Sequence, residues 1–309
     1  MAEQSICGMG LRHDGAMTTP TEPAGSSPPP GPTTADEPDL WVDHGRAALA
    51  VSTYGSGRPI LALHAGVCDR RSWRWCAPAW ADAGFRTIAY DRRGFGGTRY
   101  EPEAYDALAD ARAITEATQA RPAVVVGNSM GGALAVDLAL AHPDEVLALV
   151  LIGSLPSGAP GEAWVQSDAE TALEAEFVAA AESDDLERVN RLEVHYWLDG
   201  PGQPDRRVTG APRDLMLEMN RRALAAPSAG EDAARPEAWS RLGDIDVPTL
   251  LVLGEHDETG LRPLTEMMAA RLPRARLTVM DDTAHCPMLD RPDALASTVL
   301  EFLATAGPF

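Results

Sequence analysis

Ala123-Val-Val-Val-Gly-Asn-Ser129-Met-Gly-Gly-Ala-Leu-Ala135 decides how this chain is read. A β-branched run stops at Gly127, Ser129 sits between glycines, and an alanine-leucine segment follows at once. The pattern predicts a strand, a sharp turn and a helix. The Gly-x-Ser-x-Gly spacing suits a nucleophile elbow, where the serine backbone is strained and flanking Cβ atoms would clash. Such a turn lifts the Ser129 hydroxyl above the sheet and aims the next helix N-terminus at any oxyanion formed there. The backbone N–H of Met130 is then a candidate oxyanion donor.

A serine alone is a weak nucleophile and needs a base and an orienting acid. Val247-Pro-Thr-Leu-Leu-Val-Leu253 predicts a strand that runs into Gly254-Glu-His-Asp257. Ala275-Arg-Leu-Thr-Val-Met280 predicts another, followed by Asp281-Asp-Thr-Ala-His285-Cys-Pro287. With these segments the chain resembles the α/β-hydrolase superfamily from about Trp41 to the C-terminus. The resemblance implies Ser129 as nucleophile, His285 as base and Asp257 as orienting acid, in the chain order that fold uses. Glu255, Glu258, Asp281 and Asp282 compete with Asp257 as loop carboxylates. His256 reads as a loop residue and His142 as the end of the helix after the elbow.

Pro59-Ile-Leu-Ala-Leu-His64-Ala-Gly-Val67 supplies a further strand and loop. The family usually carries His-Gly-x there; here Ala65 replaces the glycine and Gly66 takes the donor position. The resemblance therefore pairs the backbone N–H of Gly66 with that of Met130, with Val67 as the fallback. Tyr90-Asp-Arg-Arg-Gly-Phe-Gly-Gly-Thr98 matches the loop after the next strand, where Asp91 and Arg92 read as loop-fixing partners.

Composition narrows the function classes. With 26 basic residues against 46 acidic, the net charge is −20. Every basic residue is arginine, which excludes Schiff-base, serine–lysine and P-loop lysine chemistry. The negative charge disfavours nucleic acid, membrane surfaces and polyanionic substrates, although one pocket arginine could hold a single carboxylate. Cys7, Cys68, Cys76 and Cys286 show no metal-like or redox-like spacing and read as free thiols, Cys286 as one open to alkylation. A cytoplasmic enzyme without metal or cofactor is expected. Its partner is a small-molecule substrate, and a homodimer is left open. Residues 1–38, rich in Pro, Gly, Ser and Thr, read as a disordered tail without a secretion signal.

The remaining pattern alternates strands and helices, the mark of an α/β fold with a mostly parallel central sheet covered on both faces. Predicted strands are 47–54, 60–64, 87–91, the elbow strand and the apolar run 146–152. Helices are predicted at 73–84 and 105–119. At Gly153 the alternation breaks for roughly ninety residues, too many for a connecting loop. Helical segments at 161–182, 184–197 and 213–225 resemble the helical cap inserted in many of these enzymes. The expected division is a core of 39–154 and 241–309 with a cap of 155–240. Val67, Trp164, Tyr196 and Trp197 are candidate pocket residues, against the ordinary role of apolar residues in packing the cap or the core.

These features imply acyl transfer, with a small to medium, largely apolar carboxylic ester, lactone or thioester as substrate. Carbon–carbon hydrolysis of ring-fission diketones is the main enzymatic alternative. It is weakened by Cys286 standing where those enzymes usually carry tryptophan. A non-catalytic receptor of the same fold is the other.

Overall fold

The computed structural model describes residues 36–235 and 237–307. The chain opens with β1 (Leu40–His44), β2 (Ala47–Gly55) and β3 (Arg58–Leu63). Next come α1 (Ala77–Asp82), β4 (Phe85–Tyr90), the short β5 (Arg99–Tyr100) and α2 (Ala107–Ala117). β6 (Ala123–Asn128), α3 (Met130–Ala141) and β7 (Val146–Ile152) follow. Between β7 and the next strand lie α4 (Asp168–Glu182), α5 (Leu186–Val194) and α6 (Ala211–Leu224). The chain then returns to the sheet through β8 (Thr249–Gly254), α7 (Leu261–Ala269), β9 (Ala275–Met280), α8 (Pro287–Asp290) and α9 (Pro292–Thr305).

The strands form one sheet in the order β1-β2-β4-β3-β6-β7-β8-β9, with β5 on β2. β1, β2 and β5 pair antiparallel, and β2 joins β4 antiparallel. From β4 through β9 every pairing is parallel. Buried parallel strands need apolar residues on both faces, and these have them. Ile60, Val124, Val126, Val150 and Val252 face a layer with Trp80 of α1 and Val299 and Phe302 of α9. Leu61, Val125, Leu149, Leu151 and Leu251 face Ile114 of α2, Ala135 of α3 and Leu264 of α7. Each fully buried aliphatic side chain contributes about 1.5–3 kcal/mol, so the two layers hold the sheet rigid under the loops it carries.

Several expected elements are divided differently, each for a local reason. The predicted helix 73–84 is a 3₁₀ turn at Arg70–Trp75 followed by α1, because Pro78 has no N–H to donate to the preceding turn and fits only a first helical turn. The predicted helix 161–182 starts late, at Asp168, where Ser167 and Glu170 form a reciprocal capping box. The predicted helix 184–197 stops at Val194; His195–Asp199 widens into a π turn that ends at Gly200, φ 98°. β1 had no expected strand. It is an edge strand in which Val42 alone is buried, so its alternation is weak.

The first 35 residues, with Cys7 and nearly all of the segment read as a tail, lie outside the described residues. Asp36 is already anchored, its carboxylate 2.6 Å from Arg74 Nη2 and its carbonyl accepting from Arg70. Among the described residues no helix is long and apolar enough to cross a membrane.

Candidate active site

Ser129 stands at the junction of β6 and α3 with φ 54° and ψ −119°, a left-handed backbone that non-glycine residues adopt only when their surroundings enforce it. Its N–H donates to Ile152 O of β7 at 2.8 Å, and its carbonyl accepts from Gly132 N–H and from Ser154 Oγ, the latter at 2.8 Å. The flanking glycines permit this crossing. A Cβ on Gly127 would lie 2.4 Å from Gly131 O, and one on Gly131 would lie 2.3 Å from Leu63 O. Ser129 is half-buried and Met130 is 45% exposed, so the turn opens outward from the sheet.

His285 lies in the loop between β9 and α8 and is 2% exposed. Its Nδ1 is 2.9 Å from Asp257 Oδ1 and 3.1 Å from Oδ2, with Asp257 just beyond the end of β8. With Nδ1–H donating to the carboxylate, Nε2 carries the free lone pair a base needs. Burial pushes the His285 pKa down, but the Asp257 charge and hydrogen bond outweigh it, and the net direction is up. The competing carboxylates are engaged elsewhere. Glu255 accepts from the Asp282 N–H at 2.8 Å, and Asp282 sits between His256 and Arg207. Asp281 is exposed.

Two residues that sequence reasoning did not single out hold this pair, and a third lies beside it. Asn128 is fully buried and donates from Nδ2 to both Ile152 O and His285 O at 3.0 Å, tying the histidine loop to the elbow. Gly153, with φ 51°, passes directly beneath the pair. A Cβ there would lie 2.8 Å from His285 Nδ1 and 2.9 Å from Asp257 Oδ2. Glu258, weighed above only as an alternative acid, is 3% exposed and accepts from Tyr196 OH at 3.0 Å. Burial, and then the neighbouring Asp257 charge, push its pKa up to about 8. A buried contact of this kind leaves no trace in local sequence, although a glycine directly after a buried apolar strand is a usable signal for Gly153.

The oxyanion candidates are adjacent: a Cβ on Gly66 would lie 2.7 Å from Met130 Sδ. Among the described residues neither the Gly66 nor the Met130 N–H donates to a protein acceptor. Val67 is buried in the apolar layer. His64 donates from Nδ1 to Ala65 O at 2.8 Å and accepts the Arg92 N–H on Nε2 at 3.2 Å. Burial, reinforced by the Arg92 charge, drives its pKa down to about 3, so it is a neutral structural histidine.

Of the pocket candidates, the structure brings two to this place. The Trp197 ring lies 4.5 Å from the His285 ring, centroid to centroid, and Tyr196 stacks edgewise on Trp197 at 4.7 Å. Both stand on the π turn. Trp164 is elsewhere, packed over Gly260 at the start of α7, where a Cβ would lie 2.5 Å from its ring. Cys286 is fully buried and its thiol pKa is raised, first by its contact with Cys68 and then by burial. The expectation of ready alkylation there is corrected, since reactivity follows the exposed thiolate.

A profile of the alpha/beta hydrolase family matches residues 60–298, most of the chain and every residue of this site. The chain belongs to the alpha/beta hydrolase family. It is 32% identical over 224 residues to a pimeloyl-[acyl-carrier protein] methyl ester esterase of Neisseria meningitidis serogroup A, covering 70% of this chain and 67% of that one. It is 30% identical over 249 residues to the protein of the same name from Aromatoleum aromaticum, covering 77% and 94%. An esterase structure from Exiguobacterium antarcticum superposes with a TM-score of 0.67 at 19% identity, covering 86% of this chain and 99% of that one. The chain is an esterase-like alpha/beta hydrolase.

Proposed function

We propose that this hydrolase cleaves a small to medium, largely apolar carboxylic ester, or a related lactone or thioester, through an acyl-enzyme on Ser129. The observation that carries the reading is the His285–Asp257 pair, buried and held from below by Gly153 and from the elbow by Asn128. In the proposed cycle His285 Nε2 takes the Ser129 proton as Oγ attacks the ester carbonyl. The tetrahedral oxyanion is met by the N–H groups of Gly66 and Met130, which donate to no acceptor among the described residues and lie next to the helix N-terminus. Its collapse expels the alcohol, which takes the proton from His285. Water, deprotonated by the same nitrogen, then attacks the acyl carbonyl and releases the acid and Ser129.

The insertion of residues 155–240 is proposed as a cap that lines the pocket with Trp197. Its relatives named as methyl ester esterases support an ester substrate. Carbon–carbon hydrolysis gains nothing from Asn128, whose amide is spent on two backbone carbonyls. The test is turnover of p-nitrophenyl esters of increasing acyl length by wild type and Ser129→Ala. Loss of the serine should cost on the order of 10⁶ in rate. Hydrolysis by the mutant within tenfold of wild type would overturn the assignment, and turnover of a ring-fission dienoate but of no ester would favour the alternative.

A further inference from the structure

Arg92 is a half-buried cation that pairs with no carboxylate among the described residues. Arginines of the same loop and of the adjoining turn at Arg70–Trp75 are matched. Arg93 forks onto Asp110 at 2.8 Å and reaches Glu103 at 2.6 Å, Arg70 pairs with Asp91 at 2.6 Å, and Arg71 pairs with Asp69 at 2.7 Å. Arg92, half-buried, has no ion pair among the described residues, and its buried Nε has no acceptor there. Asp232, whose charge acts on it, is committed to the Ala107 N–H at 2.9 Å and to Arg235 at 3.3 Å.

The head group is also held. Its backbone N–H is fixed by His64 Nε2, the guanidinium lies 5.1 Å over the Phe95 ring, and Nη2 is 3.8 Å from Met130 Sδ. Met130 is the residue after the candidate nucleophile, and its sulfur lies over Gly66. Arg92 is thus one methionine side chain away from the two candidate oxyanion donors. Its Nε is buried without an acceptor among the described residues while Nη2 reaches the exposed side of Met130, and burial pulls its pKa down. A planar fork in that condition is suited to take a carboxylate bidentately.

We infer that Arg92 is an anion subsite that selects substrates carrying a carboxylate at the far end of an apolar chain from the scissile ester. The inference rests on the ester-hydrolase reading above and narrows its substrate class to half-esters of dicarboxylic acids and their like. The apolar chain would run past Met130, and the terminal carboxylate would supply the partner Arg92 lacks.

The test compares the p-nitrophenyl half-ester of adipic acid with p-nitrophenyl hexanoate, which has the same chain length without the charge. Wild type should prefer the half-ester. In Arg92→Met the ratio of kcat/KM between the two should fall about ten- to a hundredfold, the range for a hydrogen bond to a charged group, mainly through KM. Arg92→Lys, which keeps the charge without the fork, should fall between. The rate of Ser129 labelling by a small fluorophosphonate reports that each variant is folded. A second arm uses Ser129→Ala protein and adipate itself in titration calorimetry, with binding weakened at least tenfold when Arg92→Met is added. An unchanged ratio in Arg92→Met, or a wild type without preference and without Arg92-dependent adipate binding, overturns the subsite. Arg92-dependent adipate binding in a protein that turns over neither ester keeps the subsite and removes the esterase reading.

Discussion

Gly153→Ala tests the active-site geometry without removing any atom that takes part in the chemistry. The new Cβ would lie 2.8 Å from His285 Nδ1, 3.0 Å from Cε1 and 2.9 Å from Asp257 Oδ2. Ordinary contacts with carbon sit near ~3.5 Å, so the imidazole and carboxylate must move away by roughly 0.5–1 Å. A displacement of about 1 Å at a reacting group costs on the order of 10², and full loss of the histidine's orienting partner costs about 10⁴. The expected fall in kcat/KM for a p-nitrophenyl ester is therefore between about 10² and 10⁴. The φ of 51° adds a backbone cost of roughly 1–2 kcal/mol for alanine, or a Tm lowered by about 2–8 °C. Near-native circular dichroism with slowed fluorophosphonate labelling would show that the loss is local. Gly161→Ala is the control, since a Cβ there meets nothing within 4 Å. A Gly153→Ala enzyme within threefold of wild type would show that the His285–Asp257 contact is not what the chemistry uses.

The other predictions concern charge and the insertion. Because the His285 pKa lies above 6.5 and the base works neutral, kcat/KM should fall as pH drops through that raised pKa. Asp257→Asn should move the acid limb to lower pH and cost about 10⁴ in rate, and a silent Asp257→Asn would mean another acid serves. Glu258 has a folded pKa of about 8 against an ordinary 4.5, so its ionisation opposes folding and stability is lost as pH rises between those values. Glu258→Gln should therefore raise Tm more at pH 9 than at pH 5, and equal gains at both would refute the burial argument. Trp197→Ala should change the acyl-length preference because its ring faces His285, and unaltered substrate ratios would remove it from the pocket.

The local signals in the sequence were strong where one strand or turn carried the information. The Val124–Val126 run, the glycines around Ser129 and the loop positions of Asp257 and His285 are each legible within a dozen residues. What was illegible depends on contacts distant in sequence. Asn128 reaches His285 O across the sheet, Trp197 arrives from the insertion, and Glu258 meets Tyr196 in the interior. Arg92 shows both sides. Its backbone fixes the loop as the motif suggested, but its side chain stacks on Phe95 and pairs with no carboxylate among the described residues, which the local sequence does not show. Helix limits failed where capping and proline decided them, at Ser167, Pro78 and the π turn after Val194, because periodicity continues through such places.

The fastening of the insertion bears on where a substrate enters. On the histidine side it is tied repeatedly: Trp197 on His285, Tyr196 on Glu258, the Thr259 N–H on Glu170 at 2.6 Å, and Arg207 onto Asp290. Asp290 also accepts the Ala284 N–H at 3.0 Å, so pulling α4 or the π turn away would disturb the loop that carries the base. A lid hinged there would open by dismantling the active site. Met130, by contrast, is 45% exposed beside half-buried Ser129, and Arg92 stands next to it. Approach from the Met130 side requires none of those contacts to break. It would carry an apolar chain past the methionine with the ester leading toward Ser129 and any trailing charge left at the guanidinium.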